Sequence, residues 1–323
     1  MKLELLPTNS TGGKILCHNI DDGKGGKAFA KGHLIQRGDI ARLQELGHDS
    51  VYVVTLDEHD VHEDTAATRL ALAVKGSGVE VTKATTGRVN LLAMQRGIVT
   101  LNVQALESVN GVDGLTVAAL REHSVVEAGK IVATVKIIPY AVSEKDLRFA
   151  EDIGQFGEGI VRVQPILPAK VAIVLASSET AREHVVANFE APLRERVTAL
   201  GCNPLPTVVV AEEPVAIARA ITDALQQHAS VIIIAGQTSI MDNNDITPQG
   251  IRLAGGKIEC FGAPVEPGNL LLLANVRGVP VLGAPGCARS HQTNVIDLVL
   301  PRLLAGELLA QRDIRALGNG GLL

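Results

Sequence analysis

The stretch Ser230-Val-Ile-Ile-Ile-Ala-Gly-Gln-Thr-Ser-Ile-Met-Asp-Asn-Asn-Asp-Ile-Thr-Pro248 decides the fold. Its first half is an unbroken apolar run that ends on glycine. A strand apolar at every position is buried on both faces, as in a parallel sheet covered by helices. Lys170-Val-Ala-Ile-Val-Leu-Ala176 repeats the pattern, and Thr207-Val-Val-Val210 supplies a third strand. Between them Val185, Phe189, Leu193, Val197 and Leu200 recur at helical spacing, with Pro192 marking a kink or a fresh helix start. Pro214 opens another helix, striped by Ile217, Ile221, Ala224 and Leu225. Alternating strands and helices predict an open α/β sheet with helices on both faces. Strands at Leu270–Ala274 and Val279–Leu282 lead to a last helix carrying Val295, Leu298, Val299 and Leu303.

Outward from this core the pattern weakens. Residues 11–38 are rich in glycine and lysine and predict loops and short strands. Ser50–Thr55 reads as a strand and Glu63–Val74 as a helix. Short β segments follow at Val79–Val81, Gly97–Leu101, Leu115–Val117 and Lys130–Ile138, with turns at Asn110-Gly111, Asp113-Gly114 and Ala128-Gly129. Val126–Lys136 reads as a hairpin of a small barrel. The expected division is a mixed α+β module over 1–160, mostly β after residue 78, and an α/β domain over 161–323.

Composition narrows the function. The 323 residues carry 30 Lys+Arg against 35 Asp+Glu, so no basic footprint marks a nucleic-acid binder. Aromatics make up only 2%, too few for base-stacking platforms. No apolar run is long enough to span a bilayer, and the first residues do not read as a signal peptide. Cys17, Cys202, Cys260 and Cys287 stand singly, the pattern of reduced thiols in a cytoplasmic protein.

Ligands of open α/β sheets bind beyond the carboxyl ends of the strands. Three segments fall there. Gly236 allows close backbone approach, and Thr238 and Ser239 offer hydroxyls and amides to a phosphate. Thr247-Pro248 reads as a helix start, with Asp242 and Asp245 at the mouth, where a carboxylate can hold Mg²⁺ against phosphate oxygens. The same residues also suit a turn that only caps a helix. Gly283-Ala-Pro-Gly-Cys-Ala-Arg-Ser-His291 joins a strand to the last helix, with Arg289 and Ser290 as donors; an ordinary βα turn is the alternative. Pro264-Val-Glu-Pro-Gly-Asn269 has rigid prolines that can wall a pocket. His59-Asp-Val-His-Glu-Asp64 holds metal-ligating residue types but also reads as a solvated loop with an acidic helix start. Lys14, Lys24, Lys27 and Lys31 read as a mobile surface loop or a clamp for an anion.

Taken together, the three loops over about residues 168–306 resemble the molybdopterin-binding domain of molybdopterin adenylyltransferases and molybdotransferases, the MoaB/Mog-like family. The resemblance implies a three-layer α/β/α domain with a mostly parallel sheet. It implies molybdopterin as substrate or ligand, with ATP and Mg²⁺, in molybdenum cofactor biosynthesis. Carried over, Asp245 and Asp242 stand at the catalytic acidic positions, with Asp245 holding Mg²⁺. Gly236, Gln237, Thr238 and Ser239 match the glycine loop, Pro267 and Gly268 the Pro-Gly turn, and Pro285, Gly286 and Cys287 the last loop. Ser290 adds a donor there, Ser177 with Ser178 and Glu179 stands after the first strand, and Glu212 near a second acidic position. Four departures mark this chain, the first a stretch from Thr238 to Asp245 one residue longer than usual. Gln237 replaces a glycine, Asn269 replaces a lysine, and Cys287-Ala288 replaces Asn-Pro. The expected activity is nucleotidyl transfer or molybdate insertion; the alternatives are a non-catalytic molybdopterin carrier, sensor or accessory protein, or a nucleotide hydrolase like the competence-damage proteins. A homo-oligomer and contacts with other enzymes of the pathway are expected with it.

Overall fold

Val171 to Ser177 are buried at every position, and so are Val231 to Ala235, because both runs lie inside one sheet with helices over each face. We label the elements of this C-terminal part β1 (Lys170–Ser177), α1 (Arg182–Ala199), β2 (Val208–Ala211), α2 (Pro214–Gln226) and β3 (Val231–Gly236). Then follow α3 (Ile246–Leu253), β4 (Lys257–Phe261), β5 (Leu272–Val276), β6 (Val279–Gly283), α4 (Val295–Leu304) and α5 (Gln311–Ala316). The computed structural model describes residues 1–155 and 157–323, which fall into two compact units, Met1–Gln164 and Pro165–Leu323.

The C-terminal sheet runs β2-β1-β3-β6-β5-β4. β1, β2, β3 and β6 are parallel; β5 and β4 close the edge antiparallel. Asn203–Pro204 extends the β2 side with a short parallel pairing to β1. Alternation along each strand sends Ala172, Val174, Ala176, Ile232 and Ile234 to the face packed by Ile217 and Ile221 of α2 and Ile251 of α3. The intervening Val171, Ile173, Leu175, Val231 and Ile233 fill the opposite face, where α1 lies along β1. The result is the three-layer α/β/α domain. Each fully buried Ile contributes about 1.5–3 kcal/mol of transfer free energy, so the central strands supply much of the unit's stability.

Two features depart from the sequence reading here. α1 runs unbroken through the buried Pro192. β4 and α5 have no counterpart in the sequence reading; along the edge strand β4 only Cys260 is buried, with no alternation to read.

The N-terminal unit is a mixed α+β assembly of small sheets. Ser50–Thr55 is the centre strand between Lys2–Pro7 and Ile15–Leu16. Leu115–Ala119, Ile131–Ile137, Arg88–Ala93 and Val79–Val81 form a four-stranded antiparallel sheet. The helices are Asp39–Glu45, Glu63–Val74, Val103–Asn110 and Glu144–Gln155; of these only Glu63–Val74 was expected. The expected hairpin over Val126–Lys136 is not one. Val125–Val126 pairs with Gly97–Ile98, whereas Ile131–Ile137 belongs to the four-stranded sheet. The reason lies in the turn: Gly129 N–H donates to Ala93 O and Ala93 N–H to Lys130 O, so the turn bonds to a third strand instead of closing on itself.

No helix among the described residues is long and apolar enough to cross a membrane. Cys17, Cys202 and Cys260 are buried and Cys287 half-buried.

Candidate functional site

The topology brings the three predicted segments to one edge. In parallel strands the carboxyl ends point the same way, which places Ser177, Ala211, Gly236 and Gly283 on a common rim. β5 runs the other way, so its first residue, Leu272, pairs with Gly283 and with Phe261, the last residue of β4. The Pro264–Asn269 turn therefore reaches the same rim through an antiparallel strand.

The glycine loop leaves β3 at Gly236, where a Cβ would sit 3.2 Å from Ala176 O. Gln237 N–H donates to that carbonyl at 3.0 Å, anchoring the loop to β1. The Gln237 side-chain oxygen accepts from Ser178 N–H at 3.2 Å and from Ser178 Oγ at 2.9 Å. Thr238 donates both its N–H and its hydroxyl to Glu212 Oε1. Ser239 Oγ lies 3.4 Å from where a Cβ on Gly286 would stand, so the first and last loops touch.

Asp245 occupies the helix N-cap, and α3 begins at Ile246, not at Thr247-Pro248. Its Oδ2 accepts from Met241 N–H and from Asp242 N–H, closing the loop. Thr247 and Pro248 become the second and third helical residues, where the missing proline N–H costs nothing because the first four N–H groups lack helical partners. Asp242 Oδ1 accepts from Asn244 N–H at 2.7 Å. The hydrogen-bond partners of both carboxylates lie within their own segment, and each retains an oxygen outside these bonds.

The Pro-Gly turn is held from α4: Val295 N–H donates to Pro267 O at 3.2 Å. Gly268 sits at φ +134° with its Cα against Val295, a conformation and a closeness only glycine accepts. Asn269 Nδ2 donates to Glu266 Oε2 at 3.1 Å, and the C-terminal residues pair with Glu266 beside this turn.

The last loop is clamped by a residue that no motif announced. Arg196 on α1 pairs with Asp297 on α4 at 3.0 Å and donates to Ala288 O at 3.2 Å, Ser290 O at 2.7 Å and Gln292 O at 3.0 Å. It stands in the charged run Arg194-Glu195-Arg196, and the carbonyls it serves lie over 90 residues away. Pro285 and Ala288 are buried, Gly286, Cys287 and Ser290 half-buried, and Arg289 exposed. Ser290 Oγ accepts from Gln292 N–H. Burial chiefly, with Glu266 adding to it, pushes the Cys287 thiol up from its ordinary range, so it stays neutral at physiological pH.

Gly236 to Ser239, Ser177 with Ser178, Pro267, Gly268, Pro285, Gly286 and Cys287 thus surround one rim, with Asp242 and Asp245 on the arm leading to α3. In the other unit, His62 caps the helix it precedes, accepting from Asp64 N–H, and Asp60 bonds Asp57 N–H. No group of three or more His, Cys, Asp or Glu side chains is gathered for a metal among the described residues. Lys14 bonds Thr55, and Lys31 lies 5.5 Å over the Tyr140 ring.

Residues 172–305 match the family model described as a probable molybdopterin binding domain, and residues 5–55 match a domain of unknown function. The chain is similar to the molybdopterin biosynthesis MoeA protein of Pyrococcus horikosii, at 13% identity over 94% of this chain and 75% of that one, TM-score 0.32. It is similar to the molybdopterin biosynthesis enzyme MoaB of Thermus thermophilus, at 16% identity over 43% of this chain and 98% of that one, TM-score 0.31. A third is the tungsten cofactor synthesizing protein MoaB of Pyrococcus furiosus, at 16% identity, 42% and 88% coverage and TM-score 0.29. No curated protein matches the chain. The match places residues 172–305 in the molybdopterin-binding domain family.

Proposed function

We propose, from the membership of residues 172–305 in that family, that the chain binds molybdopterin or its adenylylated form at the carboxyl rim of the C-terminal sheet. There it assists Mg²⁺-dependent nucleotidyl transfer or molybdate insertion. The observation that carries this reading is the convergence of the Gly236–Ser239 loop, Gly286 and the Pro267-Gly268 turn on one rim. Ser239 and Ser290 offer hydroxyls, while Thr238 is held by Glu212. Pro267 and Pro285 wall the space.

The acidic arm suits Mg²⁺ in its chemistry: two carboxylates with free oxygens are a common protein share for this ion when phosphates complete its shell. Asp245 and Asp242 would hold it, and it would neutralise phosphate charge. The chain's own part is positioning, because loops pinned by Arg196 and by Val295 N–H need little reorganisation when ligand arrives.

A second reading, a non-catalytic carrier or accessory protein, is favoured by Asn269, which bonds Glu266 and brings no cation to the rim. Self-association and contact with other enzymes of the pathway belong to both readings, and sedimentation checks the first.

The test is an anaerobic titration of the full chain with molybdopterin, with and without ATP-Mg²⁺, beside Asp245→Asn. Transfer of AMP, lost in Asp245→Asn while binding persists, supports the enzyme. Binding without turnover supports the carrier. Cleavage of a dinucleotide without any pterin moves the domain to nucleotide hydrolysis.

A further inference from the structure

We propose that Gln237 gates the anion-accepting corner of this rim, its amide oxygen holding the donors that a phosphoryl group of the ligand would use. Ser178 follows the last residue of β1 in extended conformation, ahead of the turn into α1. Its N–H and its hydroxyl converge on Gln237 Oε1 at 3.2 and 2.9 Å. A backbone N–H can only donate, so the atom facing it is the amide oxygen, and the orientation of the amide is fixed. One oxygen accepting from a backbone N–H and a hydroxyl is the arrangement a phosphate oxygen would take in the same corner. The Thr180 hydroxyl stands 3.2 Å from Ser178 Oγ and extends the donor set.

The neighbouring donors are held differently. Thr238 N–H and hydroxyl both meet the Glu212 carboxylate, a charged acceptor that repels an incoming anion. Of the two occupied corners, the one filled by a neutral amide is the one an anion can open. The gate is also separable from its support. Gln237 N–H bonds Ala176 O at 3.0 Å, so truncating the side chain leaves the loop anchored. An anion entering the native site must displace two exposed hydrogen bonds, which lowers its affinity about five-fold at the small net worth of such bonds.

This inference rests on the reading of the rim as a molybdopterin phosphate site, and the experiment separates the two. Inorganic pyrophosphate and molybdopterin are each titrated into the native chain, Gln237→Ala and Gln237→Glu, with melting followed for all three. The gate predicts about five-fold tighter binding of both probes by Gln237→Ala. It predicts weaker binding by Gln237→Glu, whose carboxylate keeps the Ser178 donors and adds repulsion, and it predicts that Ser178→Ala erases part of the gain in the Gln237→Ala background. Loss of affinity in both variants would mean that Gln237 touches the ligand as a positive contact and would overturn the gate. Equal affinity across the series, with molybdopterin bound by the native chain, would overturn it while leaving the binding reading intact. No binding of either probe to any variant would remove both.

Discussion

The two units of this chain both close over buried apolar cores but build them from different kinds of sheet. The C-terminal unit is a sheet whose central strands are buried on both faces, so its strands read as continuous apolar runs and its polar residues collect at the rim. The N-terminal unit is built from short antiparallel strands in several sheets around its own buried apolar core, with polar ties such as Arg69, which bonds both Glu144 and Glu151, nearer its surface. The difference teaches where function can be stored. A parallel sheet gathers the loops at its carboxyl ends onto one rim, whereas short antiparallel strands divided among several sheets spread their turns apart.

The sharpest way to break this comparison is to open the central strand. Ile234→Ala on β3, at 1% exposure, should destabilise the C-terminal unit by about 3 kcal/mol, read by urea unfolding. A cost below about 1 kcal/mol would mean that burial does not dominate there. Gly268→Ala comes next. Its Cβ would overlap the Val295 side chain at a φ of +134°, so about 2 kcal/mol of stability should be lost, with the Pro267 turn displaced.

Arg69→Ala probes the polar cohesion of the other unit. Its side chain is 30% exposed, so the network it organises is worth only about 1 kcal/mol, and the melting temperature should fall modestly. The smallest expected effect is in pH. Arg69, with Arg148 behind it, holds the Glu144 carboxyl down to about 2, from an ordinary 4.5. The stability this carries is complete above pH 4.5 and is lost as pH falls toward 2. Between those values the native chain should lose more stability than Arg69→Ala does, a narrowing gap visible in acid melts.

How much could be read beforehand follows the same division. β1 and β3 were legible because double burial writes an apolar residue at nearly every position. Helix Glu144–Gln155 was not, because its buried face holds only Leu147, Ala150 and Gly154, and an exposed Phe149 interrupts the polar face. The rim was legible as a set of loops, since glycine, proline and hydroxyl residues mark sharp turns near anions. Its wiring was not. Nothing local to Gln237 announces a bond to Ser178, 59 residues earlier, and nothing around Arg196 announces the carbonyls it clamps. The start of α3 reads as Thr247-Pro248 in the sequence, because proline at a first helical position is a strong start signal, whereas Asp245 is the N-cap and bonds backward to Met241 and Asp242.

The most direct test of the central claim, that the C-terminal rim is where molybdopterin binds, is amide hydrogen exchange of the full chain with and without the pterin under anaerobic conditions. The account predicts slowed exchange confined to residues 236–245, 264–269 and 284–290 and to Ser178. Protection that leaves these segments unchanged and falls within the N-terminal unit would contradict it.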